Sequence, residues 1–113
     1  MINIRTLKKM GNDDGMTLKK GKKVCYKTGY QVAVGGKITN DMREALRMIK
    51  EYDGNCGVWF YEDMWYIDKV IHLNTTKKEA LRVGLEYKQI SVFQWRSMKS
   101  IDCSTGKPCT ATA

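Results

Sequence analysis

Residues Asn55 to Asn74 read NCGVWFYEDMWYIDKVIHLN. This run is dense in β-branched and aromatic residues, which are enriched in strands, and only the polar pair Glu62-Asp63 interrupts it. We therefore predict a two-stranded hairpin with these two residues as its loop. In this register the opposing residues are Tyr61 and Met64, Phe60 and Trp65, Trp59 and Tyr66, and Val58 and Ile67.

Residues that lie directly opposite each other share a face, so the register divides the side chains of this hairpin between two faces. One face carries an ordinary hydrophobic core, made of Val58, Phe60, Trp65 and Ile67. The other is too apolar to be left in water, and it carries Trp59, Tyr61, Met64 and Tyr66. We expect this second face to form an oligomer interface. An aromatic platform for a ligand and a surface covered by the chain's own termini are the alternatives.

Length and charge limit the class of protein. The 113 residues suffice for one domain, which we place at residues 1–102, followed by a flexible C-terminal tail of small residues at 103–113. The chain has 20 lysines and arginines against 12 aspartates and glutamates, so its formal net charge is +8. Such a chain is attracted to anions such as nucleotides and nucleic acids, although surface lysines also serve solubility.

The remaining elements are predicted from periodicity and capping signals. A first helix begins after Asn40, which can cap it, and a second begins with a capping box at Thr76 and Glu79. The second helix turns Ala80, Leu81, Gly84 and Leu85 inward, and its glycine indicates a close approach to the sheet. Another hairpin is expected at 24–26 and 30–34, and a last strand at 89–95. Together they predict an α+β, two-layer sandwich, with a mostly antiparallel sheet in the order ββαββαβ and two helices on one face.

Catalytic and metal sites are not expected, so we predict a protein that is not an enzyme and needs no cofactor. His72 is the single histidine, and a lone histidine near a strand end is more often a satisfied or solvated side chain than a ligand or a base. The four cysteines lack the close pairs of zinc sites. We interpret them as reduced thiols of a cytoplasmic protein, because the sequence shows no signal peptide and no apolar run of the ~20 residues that a membrane span needs.

Positive charge interleaved with aromatic residues points to nucleotide binding, because rings stack on bases while lysine or arginine binds phosphate. Helix N-termini add free amides that can donate to phosphate. The polar residues expected nearest such a site lie at the ends of strands and helices: Asn40, Arg43, Asn74, Lys88, Gln89 and Arg96. The lysine-rich turn from Lys19 to Lys23 would also suit phosphates.

Five stretches carry a resemblance to a known group of proteins. They are DGMTL at 14–18, YKTGYQVA at 26–33, GNCGVW at 54–59, YIDK at 66–69 and QISVFQW at 89–95. In these stretches the chain resembles small accessory proteins of phages and mobile elements in low-GC Gram-positive bacteria. Among them it is similar to the Thoeris anti-defence sponge proteins. This resemblance implies a non-catalytic homo-oligomer that traps cyclic ADP-ribose isomers or cyclic oligonucleotides.

Charge, aromatics and resemblance together predict a phage-type anti-defence protein that sequesters a nucleotide immune signal without cleaving it, in the cytoplasm of the infected bacterium. It would be a homo-oligomer without membrane association, and a host defence protein is a further expected partner. One alternative is a protein-binding inhibitor of a host nuclease, of the anti-CRISPR or anti-restriction type. The charge of +8 argues against DNA mimicry as its mode of action. A small nucleic-acid-binding module is the other alternative.

Overall fold

The computed structural model describes residues 2–109, and within them the chain forms two compact units. The first unit comprises the residues up to Val24 together with Gly35–Val70. The second comprises Cys25–Val34 together with the residues from Ile71 onward. Each unit is therefore built from two separate segments of the chain.

Three helices and seven strands form within residues 2–109, and the predicted α+β class is confirmed. A short N-terminal helix, one strand before the second helix and a final strand are added to the predicted order. The elements are α1 (Ile4–Lys8), β1 (Gly15–Lys19), β2 (Lys22–Val24), β3 (Tyr30–Thr39), α2 (Met42–Glu51), β4 (Asn55–Tyr61), β5 (Met64–Leu73), α3 (Lys77–Glu86), β6 (Ser91–Gln94) and β7 (Lys99–Asp102).

The first unit contains the predicted central hairpin, formed by β4 and β5 with the register expected from the sequence. Its loop residues Glu62 and Asp63 have φ angles of 48° and 63°. Two consecutive left-handed residues are typical of a type I′ turn, whose twist matches that of the flanking strands. In this unit the strands lie in the order β2-β1-β4-β5, and the pairs between them are antiparallel.

One face of these strands forms the core of the first unit with α1 and α2, as predicted for that face of the hairpin. The cap of α2 differs by one residue from the prediction, because Asp41 and not Asn40 occupies it. Its Oδ1 atom accepts hydrogen bonds from the amides of Arg43 (2.9 Å) and Glu44 (3.3 Å). The core consists of Ile2, Leu7, Met10, Leu18, Ala45, Met48, Ile49, Cys56, Val58, Trp65 and Ile67.

The second unit packs α3 against strands that lie in the order β3-β6-β7. Thr76 caps α3 as predicted, since its Oγ1 accepts a hydrogen bond from the amide of Glu79 at 3.3 Å. The Glu79 carboxylate pairs with Arg82 instead of completing the capping box. The predicted close approach of Gly84 to the sheet is confirmed: a Cβ there would lie 2.7 Å from the Cγ1 atom of Val92 in β6.

Two predictions are wrong, one for the strands before α2 and one for α3. The hairpin expected at 24–26 and 30–34 does not form, because β2 pairs with β1 while Tyr30 in β3 pairs with Gln94 in β6. Leu85, expected to face inward, is exposed.

Residues 103–109, which we expected to belong to a flexible tail, make specific contacts in the second unit. Cys103 is buried in the core of the second unit. The Asp102 carboxylate accepts hydrogen bonds from the amides of Ser104 and Thr105, and the Cys109 amide donates to the carbonyl of Ser100 at 2.8 Å. These bonds turn the chain back along β7. Residues 110–113 of the predicted tail lie outside the described range.

Candidate functional site

The structure brings together the four residues predicted to form an oligomer interface, Trp59, Tyr61, Met64 and Tyr66, which are called the aromatic face from here on. The Trp59 ring lies 5.2 Å from that of Tyr61, with 12° between the ring planes. It also lies 4.8 Å from the ring of Tyr66, its partner across β4 and β5. Three rings therefore form one continuous surface centred on the indole.

The aromatic face is accessible within the first unit. Trp59 keeps 40% of its surface exposed, and the other three members are half-buried. On the opposite face of the same hairpin, Trp65 is buried and its ring lies 4.8 Å from that of Phe60. The described N-terminal segment therefore does not cover the indole, and the rings remain open for stacking or for contact with another chain.

The register of β1 and β2 extends this surface beyond the hairpin. Gly15 lies opposite Trp59, and Lys19 lies opposite Asn55, so both belong to the same face as the indole. Across the next pair Lys19 lies opposite Lys22. The tight turn between these lysines is formed by Lys20 and Gly21, both with positive φ. One face of the first unit thus carries aromatic rings at one end and two lysines at the other.

An acidic residue adjoins the middle of this face. Asp68 lies opposite Gly57 and is half-buried. Desolvation by this burial raises the pKa of its carboxyl group above the ordinary value of 3.8. A Cβ at Gly36 in β3 would collide with the Asp68 Oδ1 atom, so the carboxylate lies on the side of β5 that is away from β4.

A second basic surface lies on the helix-bearing face of the first unit. An open pocket of about 460 Å³ is lined by Arg5, Lys9 and Lys23 together with residues of α1 and β1. Lys23 lies opposite Leu18, whose side chain is in the core, so it points away from the aromatic face. Asp14, which also lines the pocket, accepts a hydrogen bond from the Gly11 amide at 2.7 Å. This pocket combines cations with no aromatic ring.

The predicted ligand-binding residues are not gathered at one place within either unit. In the first unit Asn40 and Arg43 are both exposed at the start of α2, where Asp41 already occupies the Arg43 amide. In the second unit Asn74 and Lys88 flank opposite ends of α3, a helix of 10 residues and about 15 Å in length.

Lys88 and Gln89 have a structural role at the end of α3. Lys88 has a φ of 59°, and its amide donates to the Leu85 carbonyl at 2.9 Å. The Gln89 amide donates to the Gly84 carbonyl at 2.8 Å. Together these bonds form a Schellman motif, which ends the helix. Arg96 is exposed in the turn that follows β6.

His72 and Cys56 are of residue types common in catalytic sites, and both contact neighbouring residues within the fold. The Nε2 atom of His72 lies 2.7 Å from the Thr28 carbonyl oxygen, and its ring stacks on Tyr26 at 3.9 Å. The prediction of a satisfied histidine is confirmed. Burial raises the pKa of the Cys56 thiol to about 12, so this cysteine remains protonated at neutral pH. Within residues 2–109, no group of three or more potential metal-binding side chains is arranged around a common site.

Sequence reasoning missed the lysine pair and Asp68 as neighbours of the aromatic rings. Lys19 and Asn55 are far apart in sequence, and only the pairing of β1 with β4 places them on a common face. The available signal was the glycine at position 21 between two lysines on each side, which is typical of a hairpin turn.

Fold and surface define a small α+β protein with an accessible aromatic sheet face whose far end is basic. Comparison with protein-family models, with curated proteins and with solved structures gives no match for this chain. None of the helices in the described part is long and apolar enough to cross a membrane.

Proposed function

We propose that this protein binds and sequesters a nucleotide immune signal without cleaving it, as an anti-defence protein in the cytoplasm of an infected bacterium. The ligand class is a cyclic ADP-ribose isomer or a cyclic oligonucleotide. The observation that carries the proposal is the aromatic face, on which the exposed indole of Trp59 is flanked by the rings of Tyr61 and Tyr66.

Base stacking is the physical reason for a nucleotide. A flat, sequence-tolerant ring surface contributes about 1–3 kcal/mol per stacked base, because every base presents a π-face. The net charge of +8 supplies long-range attraction for the phosphates. Binding without cleavage fits a hairpin whose thiol, Cys56, is buried on the core side of β4 with a raised pKa.

The test is a thermal-shift and release experiment with three probes: cyclic ADP-ribose, ADP-ribose and 3′,3′-cyclic di-AMP. At least one probe should raise the melting temperature and reappear chemically unchanged after the complex is denatured by heat, as judged by chromatography. Trp59→Ala should abolish the shift while still unfolding cooperatively without ligand, since the indole lies outside the core of the first unit. Absence of any shift in the parent protein, or recovery of a cleaved product, would overturn the proposal.

Self-association through the aromatic face belongs to the same proposal, because the resemblance to the sponge proteins implies a homo-oligomer. The exposed indole and the neighbouring Met64 are typical of the centre of an interface. Light scattering on the parent and on Trp59→Ala separates the two uses of the face. A smaller assembly in the variant indicates an interface, whereas an unchanged assembly with lost probe binding indicates a platform for the ligand alone.

A second candidate function is a protein-binding inhibitor, and a different surface favours it. Around the end of α3, Leu85, Tyr87 and Ile90 keep 55%, 46% and 82% of their surfaces exposed. Clusters of exposed apolar residues often mark sites of protein contact. An inhibitor of a host nuclease would co-elute with its enzyme and would lose this property in Ile90→Asp, with unchanged binding of the nucleotide probes.

A further inference from the structure

The β1–β2 turn places two positive charges directly opposite each other. Lys19 and Lys22 are a cross-strand pair, both are exposed, and both side chains belong to the face that carries Trp59. Like charges in directly opposite positions destabilise a strand pair. An anion held between the two ammonium groups would remove this repulsion, so the arrangement favours a phosphate.

The position of this lysine pair relative to the aromatic rings can be derived from the register. Gly15 lies opposite Trp59, and Lys19 is four residues further along β1, which corresponds to about 13 Å at the rise of an antiparallel strand. Between them the same face presents Thr17, which is buried, and Gly57, while Val24 of β2 lies opposite Thr17. No large side chain of β1 or β4 therefore separates the indole from the two ammonium groups.

The spacing of about 13 Å between Cα positions indicates which nucleotides fit. A base stacked on Trp59 and a single phosphate attached to the same ribose would leave the lysines beyond easy reach. A pyrophosphate or a second nucleotide unit extends the ligand toward Lys19 and Lys22. Ligands with two phosphates therefore match this face better than a mononucleotide.

We propose that Lys19 and Lys22 bind the phosphates of a nucleotide whose base stacks on Trp59 and Tyr66. The inference rests on the proposed function and names the phosphate-binding residues and the length of its ligand. The rival anion site is the pocket with Arg5, Lys9 and Lys23, on the opposite face of the same strands.

The experiment compares two double variants that change the net charge equally. Lys19→Gln/Lys22→Gln removes the charges on the aromatic face. Lys23→Gln/Lys69→Gln removes two exposed charges from the other face, where these residues lie opposite Leu18 and Cys56. Binding is measured by calorimetry with cyclic ADP-ribose, ADP-ribose, 3′,3′-cyclic di-AMP and adenosine, the last of which has no phosphate. Salt dependence is measured for the probe that binds most tightly.

We expect the first variant to bind the phosphate-bearing probes about tenfold or more weakly, since each hydrogen bond to a charged group contributes substantially to binding. Its binding should also depend less steeply on salt, while its affinity for adenosine should remain within about twofold of the parent's. Without ligand, the same variant should unfold at a slightly higher urea concentration than the parent, because the repulsion between the lysines is removed. The control variant should show neither change.

The possible failures are distinguishable. If the parent binds a probe but the control variant weakens binding as much as Lys19→Gln/Lys22→Gln does, the inference is wrong and the proposed function stands. The same conclusion follows if only the control variant weakens binding, since the phosphates then lie at the rival pocket. If the parent binds none of the four probes, the proposed function fails and the inference fails with it.

Discussion

Gly36 and Asp68 lie against each other so closely that no side chain fits at position 36. A Cβ there would collide with the Asp68 carboxylate and with the Ile67 carbonyl oxygen, and it would lie 2.8 Å from the Asp68 Cα. Because two of these neighbours are backbone atoms, a rotamer change cannot relieve the contact. Gly36→Ala is therefore expected to destabilise the protein by about 1–3 kcal/mol, as overpacking does elsewhere. Urea denaturation measures this loss.

The matched control for this prediction is Gly54→Ala. Position 54 has no heavy atom within 4 Å of an added Cβ. This variant should be neutral or slightly more stable, because alanine restricts the unfolded chain. Equal stability of Gly36→Ala and the parent would show that β3 and β5 can shift apart at this point.

The left-handed residue at the end of α3 gives a second prediction. Lys88 has a φ of 59° in the Schellman motif, a conformation in which glycine has no steric penalty. Lys88→Gly should therefore raise the free energy of unfolding by about 0.5–1 kcal/mol. Lys88→Ala, which removes the same charge and keeps the Cβ, should not be stabilising. The two variants also test whether Lys88 contacts the ligand. If it does, both should weaken nucleotide binding, because both remove its ammonium group.

The half-buried Asp68 carboxyl gives a pH-dependent prediction. Desolvation raises its pKa in the folded protein, so its protonated form is favoured by folding. Its contribution to stability is present in full below the ordinary pKa of 3.8 and is lost as the pH rises through the folded value. Asp68→Asn should consequently have a higher urea midpoint than the parent at about pH 7, with a smaller difference at about pH 3. A lower midpoint at neutral pH would contradict this account.

Asp102 provides a prediction of the opposite sign. Hydrogen bonds from the hydroxyl and amide of Ser104 and from the amide of Thr105 lower the pKa of its carboxyl group. The contribution of this carboxylate to the stability of the folded protein is present above the ordinary pKa and is lost as the pH falls through the pKa of the folded state. Asp102→Asn should therefore be less stable than the parent at neutral pH and should approach it in acid. Urea titrations at both pH values measure the difference.

The central hairpin could be predicted fully from the sequence, because its two strands are joined by a loop of two residues and the alternation of side chains fixes the register. The N-cap at Thr76 and the close approach at Gly84 could also be predicted, because each has a local signal in the sequence. The predicted cap of α2 was wrong by one residue, because Asn40 and Asp41 are both good capping residues. Only the geometry distinguishes the two, and the Asp41 carboxylate reaches two amides.

Long-range pairing could not be predicted. The turn signal at 27–29 indicated a hairpin, yet β2 and β3 have other partners, because Lys20 and Gly21 form a tighter turn one strand earlier. The same limit applies to the candidate site. The aromatic face belongs to one hairpin and was predicted as a set, whereas its basic end depends on β1, whose paired residues in β4 are 36 to 44 positions away along the chain.

The return of residues 103–109 along β7 has a consequence for behaviour at high concentration. In the second unit β7 is the last strand of the order β3-β6-β7, and an open strand edge invites pairing with other molecules. Ile101 forms a bridge with Pro108, and the Asp102 amide donates to the Lys107 carbonyl, so backbone groups along this edge are already engaged. We expect a chain shortened to end at Asp102 to precipitate or form fibrils where the 113-residue chain stays monodisperse.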